Sequence, residues 1–466
     1  MASKLVTTAS KIQYCYDGTP TVSNFYSTSS MQLEILLSCA VEAASCSRSE
    51  LVFRSWPPEL ESLASAFGIT VNQYIIRMKI DIFAIMGILA TVKDEAELVH
   101  KIGENVYILI KYVILNAKQY FTRTSKLFAS VDGEGRLMQF KMIHTADSES
   151  RFNGKKTRFL FHGSGFENWN NIFSNGLKCT SGENAKLLVN ANAYGAGIYL
   201  SDNPGLSLRY CWSKCGRNEN FILSVVEIVD KAAIHKSQNI FLATDESALL
   251  LRYIIYFDKT MNGRPEFLKQ LDKLLERLTT SNTKNANRHK RLSGELARMI
   301  VPPGIIVNPI CTNGRFTTSW QIIYNDFSML STTTTLMKQL IHFEIKQIEV
   351  EFMFGSNFPF SPPFIRLVSP RITYNPSDLT KNPNLAFLDA GGGICTAIFK
   401  TGEWTPGYPL INIICDVQCM LLMTEGLRLH DTLWNSSYSV KEALTSFNSV
   451  IGTFEPDEAI DLLDSY

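Results

Sequence analysis

Apolar side chains recur at helical spacing from Met31 to about Ala117, which predicts a helical region over 31–117. The pattern breaks once, at Trp56-Pro57-Pro58. The prolines end one segment, and Glu59 and Glu61 suit the first turn of the next. The texture then changes. "TRFLFHGS", "GIYLS", "NFILSVVEIVD" and "LLLRYIIYF" are short apolar runs bounded by Gly, Asn, Asp and Ser, so strands are predicted between Thr157 and Tyr256. A helix, "FENWNNIFSNGL", interrupts them, with Gly176 as its C-terminal stop. Strands outnumber helices in this stretch, and an α+β domain is predicted over 118–257.

Further on, Phe267, Leu271, Leu274 and Leu278 form one helical stripe, followed by the polar, basic run "TTSNTKNANRHKR". Residues 258–289 read as a linker carrying a helix. A third unit over 290–450 opens on the helix "RLSGELARMI", breaks at Pro302-Pro303-Gly304, and continues through strands into a densely punctuated region. The polar lead 1–30 and the acidic tail 451–466 are expected to be poorly ordered.

With 466 residues the chain is too long for one ordinary core, so two or three domains follow. A net charge of +1 gives no global reason to expect nucleic acid or membrane. "DIFAIMGILATV" and "NVYILIKYVILNA" are too short, or interrupted by Lys111, for a membrane span and read as buried helices. Met1–Pro20 lacks the apolar stretch of a secretory signal. The ten scattered cysteines are therefore read as reduced thiols in a cytoplasmic or nuclear protein. None has the spacing of a zinc motif, so no metal is expected; Cys415 and Cys419, one helical turn apart, read as core.

The stretch "AYGAGIYLSDNPGLSLRYC", Ala193–Cys211, places three glycines among three tyrosines. Glycine suits close backbone approach and tyrosine offers a flat face. With Phe161-His162-Gly163-Ser164, then Trp169 and Ile172, then Asn175-Gly176-Leu177, it forms an ordered series. On these motifs the region from about 105 to 257 resembles the catalytic domain of the poly(ADP-ribose) polymerase (PARP) superfamily, in its mono-ADP-ribosylating branch. The resemblance implies NAD as substrate, with His162, Gly163, Ser164, Tyr194, Tyr199, Ser207 and Tyr210 holding it. On that basis His162 bonds the adenosine ribose, Gly163 and Ser207 the nicotinamide carboxamide, and Tyr210 stacks on the ring while Tyr199 shapes the opposite wall. Where the family carries a glutamate before a strand-end tyrosine, this chain has Arg252-Tyr253-Ile254-Ile255-Tyr256. Without that carboxylate to orient an acceptor ribose, single ADP-ribose transfer to a protein acceptor is expected, not polymer. Arg252 reads equally as a structural charge on a strand.

A second site is signalled by "GGGIC", in which Cys395 follows Gly391–Gly393, with Trp404 nine residues later. A thiol on a glycine-bounded extended segment is expected to be accessible; the bland reading is a small buried hydrophobe. Together with "RLSGELARMI", Trp320, Phe358-Pro359 and Ser361-Pro362-Pro363, these residues make 291–427 resemble a ubiquitin-conjugating enzyme (UBC) domain of the Q type. The resemblance implies that Cys395 takes ubiquitin as a thioester from an activating enzyme and passes it on with ubiquitin ligases. The usual His-Pro-Asn before the cysteine is absent, and Asn384 is the candidate substitute for its asparagine. The chain is thus expected to be a bifunctional transferase of mixed α+β fold. The alternative is a degenerate scaffold that binds NAD and ubiquitin.

Overall fold

The computed structural model describes residues 30–46, 56–89, 91–92, 94–124, 127, 136–179, 194–212, 219–261, 264–312, 315–327, 334–355, 357–396 and 404–451. The polar lead and the acidic tail expected from the sequence lie outside these residues. The fold is mixed α+β, in two compact units that divide at Thr279/Thr280.

Among the described residues the first unit opens on the helices α1 (Ser30–Ser45), α2 (Pro58–Ala66), α3 (Val71–Arg77), α4 (Ile82–Leu89), α5 (Glu95–Ile102) and α6 (Glu104–Asn116). Pro58 sits in the first turn of α2, where its missing N–H costs nothing, and Thr70 and Gln73 cap α3 reciprocally. Strands β1 (Tyr120–Thr124) and β2 (Leu137–Ile143) follow, then α7 (Ala146–Ser150), β3 (Thr157–Gly163) and α8 (Trp169–Asn175). The predicted stop at Gly176 is realised: it has φ +76° and its N–H bonds Ile172 O at 2.8 Å. The unit continues with β4 (Ile198–Leu200), α9 (Pro204–Leu208), β5 (Asn220–Val229), β6 (Ile234–Ser237), β7 (Ile240–Ala243) and β8 (Leu249–Asp258).

An antiparallel sheet in the order β1-β2-β8-β5-β3 carries the unit, beside a smaller sheet β4-β7-β6. Its central strands are apolar on both faces because both are covered. Ile222, Val226, Ile228, Ile254 and Tyr256 join the core that contains α1 and α6. Phe221, Leu223, Val225, Ile255 and Phe257 join a second core, closed by Phe267, Leu271 and Leu274 of α10 (Pro265–Arg298). Between β5 and β8 the register shifts at Val225/Val226, where Tyr253 and Leu251 are the partners. The bulged residue is Arg252.

The basic run read as part of a linker is helical: α10 passes through it without a break to Arg298. Its residues present few apolar groups, but none of them is Pro or Gly until Gly294, so nothing interrupts the ladder. Past the division Arg288 donates to Thr317 O and Phe354 O, and Leu292 enters the core of the second unit.

That unit holds β9 (Ile305–Thr312), β10 (Phe316–Tyr324), α11 (Thr335–His342), β11 (Ile348–Met353), β12 (Phe364–Ser369), β13 (Ile372–Thr373) and β14 (Gly393–Ile394). It ends with α12 (Leu410–Met423), β15 (Arg428–Leu429) and α13 (Val440–Ile451). The antiparallel sheet β14-β12-β11-β10-β9 packs Trp320, Val350 and Leu367 against Ile413, Val417 and Leu421 of α12. Cys415 is half-buried and packs against this core, as read, whereas Cys419 is exposed, which corrects its reading as a core residue: it lies off the apolar stripe of α12. Among the described residues no helix is long and apolar enough to cross a membrane.

Candidate functional sites

The first site is built where β3 ends. His162 and Gly163 close that strand, and a bridge from Phe161 to Ser201 (N–H···O 2.7 and 2.9 Å) draws the end of β4 alongside. His162 Nδ1–H donates to Tyr199 O at 2.9 Å, while its own carbonyl accepts from Ser224 Oγ at 2.9 Å. Burial lowers the His162 pKa, and the hydrogen bond to Tyr199 opposes this only in part. The imidazole is thus neutral at pH 7, protonated on Nδ1, and its Nε2 is left as an acceptor.

Gly163 lies under α9. A Cβ there would stand 1.9 Å from Ser207 O, so a glycine is required for the strand end and the helix to meet. Ser207 is buried, and Ser207 O also accepts the Tyr210 N–H at 3.0 Å, which puts Tyr210, 47% exposed, one turn further along. Gly163 and Ser207 are therefore in contact, with Tyr210 next along the chain. Cys211 ties the two segments together: its thiol donates to Ser207 O at 3.5 Å, and its sulfur accepts from the Ser164 backbone. Burial pushes this thiol up to about 12, so it stays protonated. The sequence reading missed Cys211, although its i+4 spacing from Ser207 was a signal.

Tyr199 and Tyr194 are used differently from one another. The Tyr199 hydroxyl donates to Gly195 O at 2.8 Å and accepts from Tyr194 N at 3.1 Å, so it clasps the turn that precedes its own strand. The Tyr194 and Tyr199 rings lie 6.5 Å apart, tilted. Gly197 has φ +156° and would bring a Cβ within 2.6 Å of Ala243 O, so this glycine admits a neighbouring strand. Ser164 Oγ accepts from Asn168 Nδ2 at 3.0 Å, on the stretch leading into α8.

Arg252 is placed elsewhere along the sheet. Its guanidinium pairs with Glu227 Oε2 (Nε at 2.7 Å) and with Glu149 (Nη2 at 2.8 Å), both buried, and Thr157 Oγ1 donates to Glu227 at 2.6 Å. Burial alone would lower its pKa; Glu227 and Glu149 outweigh that and hold it raised. The arginine is committed to this buried ion cluster. On the strand ladder Glu227 pairs with Phe159 and Ser224 with His162, three residues apart, so the cluster sits toward the start of β3 and His162 at its end.

The second site is closed. Cys395 is 6% exposed, which corrects the expectation of an accessible thiol. It shares a small apolar cluster with Met353, Phe364, Ala443 and Leu444, with Val440 packed against it; the last three belong to α13. Its N–H bonds Phe387 O at 2.7 Å. Asn384 lies on the preceding turn, exposed, with its backbone N–H donating to Asn382 Oδ1 at 3.2 Å. The structure does not show it bonded to the thiol. Each of the three glycines before Cys395 abuts protein. A Cβ would meet Glu442 O at 2.4 Å from Gly391, the Tyr438 ring at 2.8 Å from Gly392, and the Asp389 carboxylate at 2.2 Å from Gly393. Trp404 donates from Nε1 to Pro359 O at 2.9 Å, fixing the loop in which Phe360 projects into solvent.

Among the described residues there is no group of three or more His, Cys, Asp or Glu able to hold a metal ion.

Residues 115–256 match the family described as the poly(ADP-ribose) polymerase catalytic domain. The chain is 37% identical over 86 residues to the protein mono-ADP-ribosyltransferase PARP8 of Homo sapiens, covering 16% of this chain and 10% of that protein. It is 32% identical over 119 residues to a Q-like ubiquitin-conjugating enzyme protein of Mus musculus, covering 24% of this chain and 66% of that one. With the ubiquitin-conjugating enzyme E2 25 of Caenorhabditis elegans the identity is 29% over 99 residues, 21% of this chain and 23% of the relative. The chain thus spans less than a quarter of the length of two of these relatives.

Proposed function

As the chain joins a PARP catalytic domain to a part similar to Q-type ubiquitin-conjugating enzymes, we propose that it transfers single ADP-ribose units from NAD to a protein and carries ubiquitin on Cys395. The observation behind the first half is the close approach of Ser207 O to Gly163, which brings the end of β3 against α9, with the half-exposed Tyr210 one turn further along. On this reading the nicotinamide ring stacks on Tyr210, its carboxamide bonds the backbone at Gly163 and the Ser207 hydroxyl, and His162 Nε2 accepts from a ribose hydroxyl. Holding the amide lets the bond from the ribose C1′ to the pyridinium nitrogen break with its electron pair leaving on nicotinamide. An acceptor side chain then bonds C1′ and releases its proton. Positioning and electrostatics supply the acceleration. Tyr199 contributes by fixing the turn at Tyr194 and Gly195.

Arg252 supports transfer without chain growth. A group neutralised by two buried carboxylates cannot take a proton from an acceptor ribose hydroxyl. Incubation of purified protein with labelled NAD tests this. Discrete single additions, lost in His162→Ala, are expected; a ladder of polymer sinks the reading.

For the second half, Cys395 supplies the sulfur, an activating enzyme the ubiquitin thioester, and a substrate protein brought by a ubiquitin ligase the acceptor lysine, whose amine takes the ubiquitin carbonyl as the Cys395 sulfur leaves and regains its proton. A reductant-sensitive gel shift with activating enzyme, ATP and ubiquitin, absent in Cys395→Ala, is the expected result. The burial of Cys395 favours one rival reading, a domain that binds ubiquitin without loading it, which predicts ubiquitin binding with no such shift.

A further inference from the structure

We infer that α13 is a cap over Cys395, and that the thiol becomes reactive only when this helix moves off its seat. The inference rests on the thioester reading for its consequence, but its evidence is separate. Loading requires the Cys395 sulfur to give up its proton and bond the carbonyl carbon of ubiquitin's C-terminal thioester, while the activating enzyme's sulfur leaves and regains a proton. Reacting atoms must come within about 3.5 Å. Ala443 and Leu444 share the buried cluster that holds the thiol, so the sulfur has to be uncovered before that carbonyl carbon can reach it.

The glycines show that this cover is built in. Gly391 lets the Glu442 carbonyl of α13 come against the loop, and Gly392, at φ +87°, lets the Tyr438 ring lie on it. Gly391 N–H also bonds Ser446 Oγ at 3.2 Å. The loop that presents the cysteine is thus shaped to the helix and the residue before it.

The attachment has two parts of different strength. Tyr438 is fixed: its N–H bonds Val368 O at 2.9 Å, its hydroxyl donates to Ile372 O at 2.9 Å, and its carbonyl accepts from Arg366 at 2.9 Å. From there α13 starts with a reciprocal cap, Ser439 N–H to Glu442 Oε2 at 2.7 Å and Glu442 N–H to Ser439 Oγ at 3.1 Å. Arg371 bonds the same carboxylate at 3.0 Å. Beyond the cap, the described contacts of the helix with its seat are those of Val440, Ala443, Leu444 and Ser446. A helix anchored at its start and held afterwards by a few small contacts can open without unfolding the sheet beneath.

The test is alkylation of the full chain by N-ethylmaleimide, read at each cysteine by mass spectrometry. Exposed Cys311 and Cys419 serve as internal clocks, and half-buried Cys415, in the same unit as Cys395, reports unfolding there. In the unaltered protein Cys395 should label at least about tenfold more slowly than the two clocks. Leu444→Asp should raise its rate by about tenfold while the other three sites keep theirs. If Leu444→Asp also speeds labelling of Cys415, the milder Glu442→Ala, which removes the Arg371 bond and half the cap, takes its place. Labelling of Cys395 as fast as the clocks, or unchanged in the variant, overturns the cap. Ubiquitin loading is run in parallel. Faster labelling with loading in neither protein keeps the cap and removes the thioester reading; equal loading in both, with equal labelling, does the reverse.

Discussion

The two candidate sites use glycine in the same way and reach opposite states. In the first unit Gly163 admits the Ser207 carbonyl, and Tyr210, one turn along, stays half-exposed. In the second, Gly391 and Gly392 admit Glu442 and Tyr438, and the result is a covered thiol. In both, the neighbour that demands a missing Cβ is protein. A glycine run beside a reactive residue therefore marks close packing of backbone, and whether the site is open depends on what packs there.

The comparison can be broken most severely at Arg252, the buried cation of the first unit's sheet. Arg252→Ala leaves the Glu149 and Glu227 carboxylates buried without their guanidinium countercharge, and a loss of about 3–5 kcal/mol is expected in a denaturant titration. Survival of the variant with near-native stability would mean that the cluster is solvated. At the end of β3, Gly163→Ala forces α9 away from the strand, and NAD turnover should drop about 100-fold with the unfolding midpoint lowered less than by the arginine change. Nicotinamide release from NAD measures the first and the denaturant titration the second.

Smaller effects sharpen the contrast. Cys211→Ala removes the link between Ser164 and Ser207 O, costs about 1–2 kcal/mol, and should raise KM for NAD more than it lowers kcat; Cys211→Ser, which keeps a donor and acceptor, should recover most of it. In the second unit Ser439→Ala removes the cap of α13, worth about 1 kcal/mol, and should increase Cys395 alkylation about fivefold without touching the first site. The gentlest probe is pH. His162 has its pKa lowered in the fold, so as pH falls below the free value of about 6.5 the unfolded chain takes up a proton first and stability declines until the folded value is passed. NAD turnover should be flat above about pH 7 and fall only on the acid side, a limb absent from ubiquitin loading.

Much of this was legible in the residues. The Phe267–Leu271–Leu274 stripe names the face of α10 that is buried, and Gly176 ends α8, because periodicity and stop signals are local. Gly163 and Ser207, members of one ordered series in the sequence, meet in the fold. What the chain did not disclose is who meets whom across distance. Arg252 finds Glu149 over a hundred positions away, and Gly391 finds the carbonyl of Glu442 from the far side of α12. A pattern of apolar positions tells which side of an element is hidden and nothing about its neighbour, so the covering of Cys395 could not be anticipated. Linker residues became helix for the opposite reason: a polar run lacking breakers carries no stop of its own.

The first core is shared between α1 and the sheet, and this has a practical outcome for expression. A fragment trimmed to the matched span, 115–256, discards Leu33, Leu36 and Leu37, together with the Glu34 carboxylate that bonds Arg136 at 2.7 Å. Phe166 and Trp169, which pack in that same core next to the segment carrying His162, would then face water. Such a truncated fragment should aggregate, and its silence in an NAD assay would say nothing about the intact chain.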